Sequence, residues 1–225
     1  MKVSVIIPVF NEVLAIQDAL NRLQWLRESG HEVVLVDGGS TDETVALAQH
    51  STARVIRSLK GRARQMNTGA RQSSGDLLLF LHIDTILSRS GFDHLLESIK
   101  EGEDAWGRFN VRLSGEHKIF RVVETMMNWR SRITGIATGD QAIFVSRRLF
   151  DRVGGFSDIP LMEDVDISQR LKKIIRPICM KDIVTTSSRR WEMEGVYRTI
   201  WLMWRLRFSY WMGSDPARLV RKYYR

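Results

Sequence analysis

GRARQMNTGARQSSGDLLLFLHIDT, residues 61–85, is the stretch whose reading decides the fold. It opens on Gly61-Arg62, continues with helical spacing over 62–73, turns at Gly75-Asp76 and enters the apolar run 77–81. A run that short and that apolar reads as a strand buried on both faces of a parallel sheet. It stops on His82-Ile83-Asp84. In open α/β sheets, ligands bind outside the carboxyl ends of the strands, so His82 and Asp84 stand where a ligand is met. Strand alternation puts their side chains on one side, away from Ile83. An imidazole and a carboxylate so placed can hold a divalent cation, and a cation can hold a diphosphate. The plainer reading of Asp84 is a cap before the next turn.

Working outward, residues 3–9 and 32–37 read as further strands, and 55–57 as a short one. Residues 12–27 have helical spacing, with Leu14, Ala15, Ala19, Leu23 and Leu26 on one apolar face. Ser40 or Thr41 can cap a helix after Gly38-Gly39. This βαβαβαβ order predicts a parallel sheet with right-handed crossovers. Beyond Gly91 the spacing predicts a helix at 92–100, a strand at 105–113, a helix at 117–132 and a turn then strand at 139–145. A Gly-rich loop at 150–160, a helix at 163–175, an extended 178–186, a long amphipathic helix at 196–212 and a short helix after Pro216 follow. The division expected is one α/β domain over 1–190 and a helical tail over 191–225, packed on that domain, on a membrane or on a partner.

The chain has 225 residues, a formal net charge of +8 and a sequence pI of about 10.0. Such a balance suits an anionic partner: nucleic acid, a phosphorylated small molecule or an acidic membrane surface. No helix-turn-helix, zinc-finger or RNA-binding signature is present, so no nucleic-acid partner is expected. Much of the positive excess lies after residue 189 beside tryptophans, which suits surface binding rather than base reading. Cys179 is the single cysteine, which excludes an intrachain disulfide and a four-cysteine zinc site and fits a reducing cytoplasm. No apolar window of membrane-spanning length occurs, and MKVSVIIPVF reads as a first strand rather than a signal peptide.

Several constellations carry chemistry. Asp37 closes the second strand ahead of two glycines; it is either a turn residue or an acceptor for a uracil or ribose hydrogen bond. No G-x-G-x-x-G follows the first strand, which ends in Pro8-Val9-Phe10-Asn11-Glu12. Gly61-Arg62-Ala63-Arg64 places two positive charges at a helix start, either a solvated face or a phosphate site. Glu163, Asp164 and Asp166 crowd a helix start; they suit the helix dipole, or supply a general base to a hydroxyl nucleophile. Arg190 could neutralise a leaving diphosphate while Trp191 stacks on a sugar. Trp201, Trp204, Phe208 and Trp211 follow steps of three and four, with Arg198, Arg205 and Arg207 nearby. That pattern fits a helix packed in the core or a dimer, or one lying in a membrane surface.

Taken in order, SVIIPVFNE, VDGGSTDET, GRARQMNTGA, GDLLLFLHIDT, GGF with MEDVDISQRL, and RRW resemble a family 2 glycosyltransferase of the GT-A fold, over roughly residues 3–191. GRARQMN, LLLFLHIDT, GDQAIFV, LMEDVDISQRL and LMWRLRFSYWMG further resemble its radical-SAM/selenodomain-associated subgroup, often labelled as arsenosugar biosynthesis transferases. The resemblance implies a nucleotide-diphosphate sugar donor, a UDP-sugar favoured, and an acceptor that is a small molecule or a lipid. It implies that Pro8, Phe10 and Glu12 line the nucleotide pocket and that Asp37 faces the base. Gly61, Arg64 and Asn67 would form the donor loop and helix, with His82 and Trp191 also on the donor side. Asp84 would bind Mg²⁺ or Mn²⁺ on the diphosphate, Asp164 would be the catalytic base, and Arg190 would act beside the diphosphate. His82 replaces the first Asp of the family's DxD-type motif, and Gly38 replaces a second Asp common in relatives. Trp106, Asp140, Gln141 and Glu163 are the expected acceptor side. The absence of long spanning helices argues against polymer export and for a cytoplasmic enzyme, at the inner face of the membrane if the tail binds lipid; a homo-oligomer is the other use for that tail. Two rivals stand beside this reading: a sugar-1-phosphate nucleotidyltransferase, which would carry a Gly-rich basic loop after the first strand, and a non-catalytic basic module with a degenerate pocket.

Overall fold

The computed structural model describes residues 1–49 and 54–223. In chain order the first half holds β1 (Val3–Val9), α1 (Ile16–Arg22), α2 (Gln24–Glu28), β2 (Glu32–Asp37), α3 (Thr44–Gln49), β3 (Arg54–Arg57), α4 (Arg62–Gln72) and β4 (Leu77–Phe80). Then come α5 (Arg89–Ser98), β5 (Trp106–Leu113), α6 (Lys118–Thr134), a 3₁₀ turn (Gly139–Gln141), β6 (Ile143–Ser146) and α7 (Arg147–Arg152). The chain closes with α8 (Glu163–Leu171), β7 (Ile178–Thr186), α9 (Arg189–Glu194), α10 (Val196–Trp211) and α11 (Pro216–Tyr223).

One seven-stranded sheet runs β3-β2-β1-β4-β6-β5-β7. β1 pairs in parallel with β2 and β4, and β2 with β3, as the alternation of strands and helices predicts. The second half departs from that pattern. β6 enters antiparallel to both β4 and β5, and β5 pairs in parallel with β7. The sheet is therefore mostly parallel, α/β in class, and covered by helices on both faces.

Strand alternation sorts the core into two layers. Val3, Val5, Ile7, Leu77 and Leu79 face one side, where α1, α2 and α5 supply Leu20, Leu26, Phe92 and Leu95. Ile6, Val34, Val36, Leu78 and Phe80 face the other, against Ala63, Met66 and Ala70 of α4 and Ile167 and Leu171 of α8. At Gly69 a Cβ would meet Ile6 Cγ2 at 2.5 Å, so α4 lies against β1 only because that position is glycine. This close approach sets Arg62, at the start of α4, beside the carboxyl ends of the strands.

Two expectations change, and the tail takes one of the placements expected for it, on the α/β domain. The helix read over 12–27 is two short helices, and Leu14 precedes them, 88% exposed, rather than joining the apolar face. β4 ends at Phe80, so His82 and Asp84 sit in a turn closed by the Thr85 N–H on the His82 carbonyl at 3.0 Å. Strand alternation therefore does not govern their side chains. The tail is not detached: α10 buries Leu206 against Met162 and Val165 at the start of α8, and its first turns meet Phe120, Val123 and Met127 of α6. No helix among the described residues is long and apolar enough to cross a membrane.

Candidate active site

A groove opens at the carboxyl ends of β1 and β4. Pro8, Arg62, Phe80, His82, Gly139, Glu163 and Asp164 line it. Sequence positions more than 150 residues apart thus meet where the strand order places a ligand.

Asp164 is fixed from two directions. Met162 takes a left-handed backbone (φ 71°), turning the chain sharply into α8. Asp164 then accepts the Gly139 N–H at 2.9 Å on one oxygen and the Val165 N–H at 2.7 Å on the other. Its neighbour Glu163 is 6% exposed, and burial, followed by the Asp164 charge, pushes its carboxyl above the ordinary range. Burial favours the protonated form of Glu163, and Asp164 is the one whose oxygens are held in place.

His82 and Asp140 meet across the groove, Nδ1 to Oδ1 at 3.4 Å. A Cβ on Gly139 would lie 2.6 Å from His82 Nε2, so the imidazole packs directly on the backbone that also ties down Asp164. Asp140 stays below the usual carboxylate range: its burial opposes ionisation, and His82, Arg62 and Arg207 outweigh it.

At the other lip, Glu12 stands close enough to Asp84 for the two carboxylates to repel. Burial first, then Asp84, raises the Glu12 carboxyl, while Arg189 and Arg62 pull it down. Asp84 itself is exposed. The β1 turn that carries Glu12 is built by Asn11, left-handed at φ 55°, whose N–H reaches Ser40 Oγ and whose Oδ1 accepts the Thr41 N–H.

The sequence motifs, the sheet order and the groove are those of one family, and the family model for glycosyl transferase family 2 matches residues 4–154. The chain belongs to glycosyl transferase family 2. Among curated relatives, it is 29% identical over 192 residues to a dolichol-phosphate mannosyltransferase of Pyrococcus furiosus, covering 80% of this chain and 53% of that protein. It is 30% identical over 152 residues to an undecaprenyl-phosphate 4-deoxy-4-formamido-L-arabinose transferase of Yersinia pestis, covering 62% of this chain and 46% of that protein. The chain thus spans about half the length of the curated relatives it matches. Among solved structures, a mannosyltransferase from Pyrobaculum calidifontis in complex with GDP-Man and Mn²⁺ aligns with a TM-score of 0.66 at 19% identity, over 92% of this chain and 60% of that one. At that identity the match speaks for the fold.

Not every expected family 2 site residue reaches the groove. Trp106 is fully buried and donates its indole N–H to the Ile175 carbonyl at 2.8 Å, so it is a core residue rather than an acceptor contact. Gln141 is also fully buried; its Oε1 accepts from Thr138 and closes the cap of the 3₁₀ turn, which removes it from the acceptor side. Strand pairing with β6 turns Trp106 inward, and the cap of the 3₁₀ turn does the same for Gln141.

Arg64 donates Nε to both oxygens of Asp158 at 2.8 and 2.9 Å, and Arg62 lines the groove in its place. Asn67 uses its whole amide on the Phe156 backbone, donating to the carbonyl at 2.7 Å and accepting the N–H at 2.9 Å. It anchors the Gly154-Gly155-Phe156 loop to α4. Asp37 is buried and accepts the Gly39 and Ser40 N–H groups at 3.1 and 3.0 Å, the turn role that its position allowed. Phe10 lies under Lys60 Nζ, 3.7 Å from the ring centre, and Gly61, at φ 137°, starts α4. Trp191 packs beside Phe120 and Val123. The Arg190 side chain lies outside the described residues.

The site also fits the divalent cation that family 2 implies, in one particular way. Among the described residues, no group of three or more His, Cys, Asp or Glu converges to cage a metal. Asp84 accepts no hydrogen bond among them and offers a solvated carboxylate with Glu12 beside it. One or two carboxylates completed by phosphate oxygens is a donor set that Mg²⁺ and Mn²⁺ accept.

Two groups were not expected at the site: Arg130 was not singled out, and Arg207 was named only among the arginines beside the tryptophans. Arg130 of α6 and Arg207 of α10 both lie within electrostatic reach of Asp164, and Arg207 also of Asp140. The signal was present in α6, where Arg130 lies three residues after Met127, beside the buried stripe Phe120, Val123, Met127 and Ser131.

Proposed function

We propose that the protein is an inverting glycosyltransferase that moves a sugar from a nucleotide-diphosphate sugar to an acceptor hydroxyl. The observation that carries this is Asp164, held by the Gly139 and Val165 amides at the rim of the groove beside His82 and Arg62. Asp164 takes the proton from the acceptor hydroxyl. The oxygen then attacks the anomeric carbon in line, and the bond to the nucleoside diphosphate breaks with its electron pair. A single displacement needs no enzyme nucleophile. Arg62, which lines the groove, supplies a cation for the leaving diphosphate, and the family resemblance gives Arg190 the same role. Mg²⁺ or Mn²⁺, held by Asp84, neutralises charge on that diphosphate when bound. Pro8, Phe10, Glu12 and Asp37 form the nucleotide end, and a UDP-sugar is the favoured donor. The motifs GRARQMN and LMEDVDISQRL support reading the chain as a member of the radical-SAM/selenodomain-associated subgroup of family 2.

The enzyme works at the cytoplasmic face of a membrane. Trp201, Trp204, Phe208 and Trp211 of α10 are 62–74% exposed, and α6 presents a matching stripe of Val122, Met126, Trp129 and Ile133. Two exposed apolar stripes among arginines suit an anionic lipid surface. Co-sedimentation with vesicles containing anionic lipid, compared for the full chain and for Trp201→Ser with Trp204→Ser, tests this; equal binding excludes the aromatic stripe.

The donor site is tested by thermal stability against a panel of nucleotide sugars, each with and without Mn²⁺. A ligand at about 100 times its Kd adds about 2.7 kcal/mol. A Mn²⁺-dependent rise with one donor identifies it, and no rise with any donor overturns the assignment.

A further inference from the structure

Arg130 and Arg207, on two helices that pack on each other, both lie within electrostatic reach of Asp164 at the groove. Arg130 follows the buried stripe of α6, and Arg207 lies one turn beyond Met203 on the inner side of α10. The Nε and Nη2 atoms of Arg130 are buried and have no hydrogen-bond partner. Among the described residues, neither guanidinium makes an ion pair within 4.0 Å, although Asp164 and Asp140 are near. The contrast with Arg108 is direct. That side chain is more deeply buried, yet it donates to Ser131 Oγ at 3.1 Å, to the Asn128 carbonyl at 3.0 Å and to Asn110. The fold satisfies a buried arginine where the arginine is structural.

Two neighbouring guanidiniums, part-buried and without acceptors, are costly unless an anion completes them. Burial and the mutual repulsion of the pair hold the Arg130 guanidinium down to about 10, still charged at neutral pH. Arginine forks match phosphate oxygens in number and plane. The position also matters. Arg62 and Arg189 act on Glu12 at the lip near Asp84, whereas Arg130 and Arg207 act on Asp164. Arg62 also acts on Asp140 and Glu163, so it spans the groove, and Arg130 and Arg207 add a second pair of cations at its Asp164 end.

We propose that Arg130 and Arg207 seat a phosphate group carried by the acceptor, next to Asp164. This rests on the glycosyltransferase reading above and names the acceptor class: a phosphomonoester. A soluble sugar or polyol phosphate and a lipid phosphate that carries a free hydroxyl share that chemistry, each keeping the hydroxyl from which Asp164 takes the proton.

The test is calorimetric, on the full chain with the donor site filled by UDP and Mn²⁺. Glycerol 3-phosphate and octyl phosphate are titrated in, with octanol as the uncharged control. Saturable binding of a phosphomonoester is expected, weakened about tenfold to a hundredfold by Arg130→Met and by Arg207→Met, while UDP affinity holds within about twofold. Octyl phosphate binding at least about tenfold tighter than glycerol 3-phosphate assigns a lipid; equal binding assigns a soluble acceptor. Octanol binding as well as octyl phosphate, or phosphate binding unchanged in both variants, overturns the proposal. Arg130→Met also separates ligand from scaffold. It removes two unpartnered buried nitrogens, so its Tm should not fall; a lower Tm with unchanged phosphate binding makes Arg130 structural. UDP failing to bind the unaltered protein, seen before any phosphomonoester is added, strikes the glycosyltransferase reading instead.

Discussion

Asp164 and Gly139 are joined by a 2.9 Å hydrogen bond, backbone N–H to carboxylate, across 25 residues of sequence. The bond couples the acidic start of α8 to the turn on which His82 packs, so the base and the groove wall keep one geometry.

Asp164→Asn keeps an acceptor for that amide and removes the base. Transfer should fall about 10²- to 10⁴-fold while donor affinity and Tm barely change. Single-turnover rates set beside UDP calorimetry check this; lost donor binding with normal transfer would assign Asp164 to the wrong substrate.

Asp84→Ala should leave stability untouched, because the carboxylate is exposed and makes no hydrogen bond among the described residues. Its effect should appear as weaker UDP binding in Mn²⁺ and no change in EDTA. The same loss in both buffers would mean that Asp84 touches the nucleotide without a metal.

Asn67→Ala breaks two hydrogen bonds to the Phe156 backbone. A cost of about 1–3 kcal/mol is expected, with faster exchange of the Phe156 amide than of amides in β1. Urea unfolding and hydrogen exchange read the two effects separately; an unchanged Phe156 amide would show that the loop is held by other contacts.

Glu163 is a pH-linked position. Burial raises its folded pKa above the ordinary 4.5, so the fold favours the protonated form. That contribution is fully present below the unfolded value and is lost as pH rises through the raised folded one. Glu163→Gln should therefore stabilise the protein at neutral pH, with the advantage shrinking as pH falls through the raised folded pKa and gone below 4.5. Urea midpoints across that range give the answer, and a variant less stable at pH 7 would mean that Arg62 and His82 more than offset the burial.

The first half of the chain was legible because each element announces itself. Leu77–Phe80 is apolar on both faces, and short runs ending in Asp37 and Pro8 can only be neighbours in a parallel sheet. The second half was not, because β6 runs antiparallel and nothing local in Ile143–Ser146 states its direction. Asp164 could be found from its crowded carboxylates. Trp106 and Gln141 misled for the opposite reason: polar or aromatic side chains suggest contact with a ligand until pairing or a cap turns them inward. Arg62 and Arg64 are two residues apart, and only the position of Asp158 separates groove from surface.

The helix α10 carries Arg207 at the edge of its inner face, between Leu206 and the aromatic stripe. Each residue advances a helix by about 100°, so inserting or deleting one residue ahead of Trp201 would swing both sets out of place together. Arg207 would leave Asp164, and tryptophans would press on Met162 and Val165. Side chains along Val196–Trp211 can be exchanged one at a time, but their number cannot: the segment is keyed by phase, and what it does outside the molecule is locked to what it does inside.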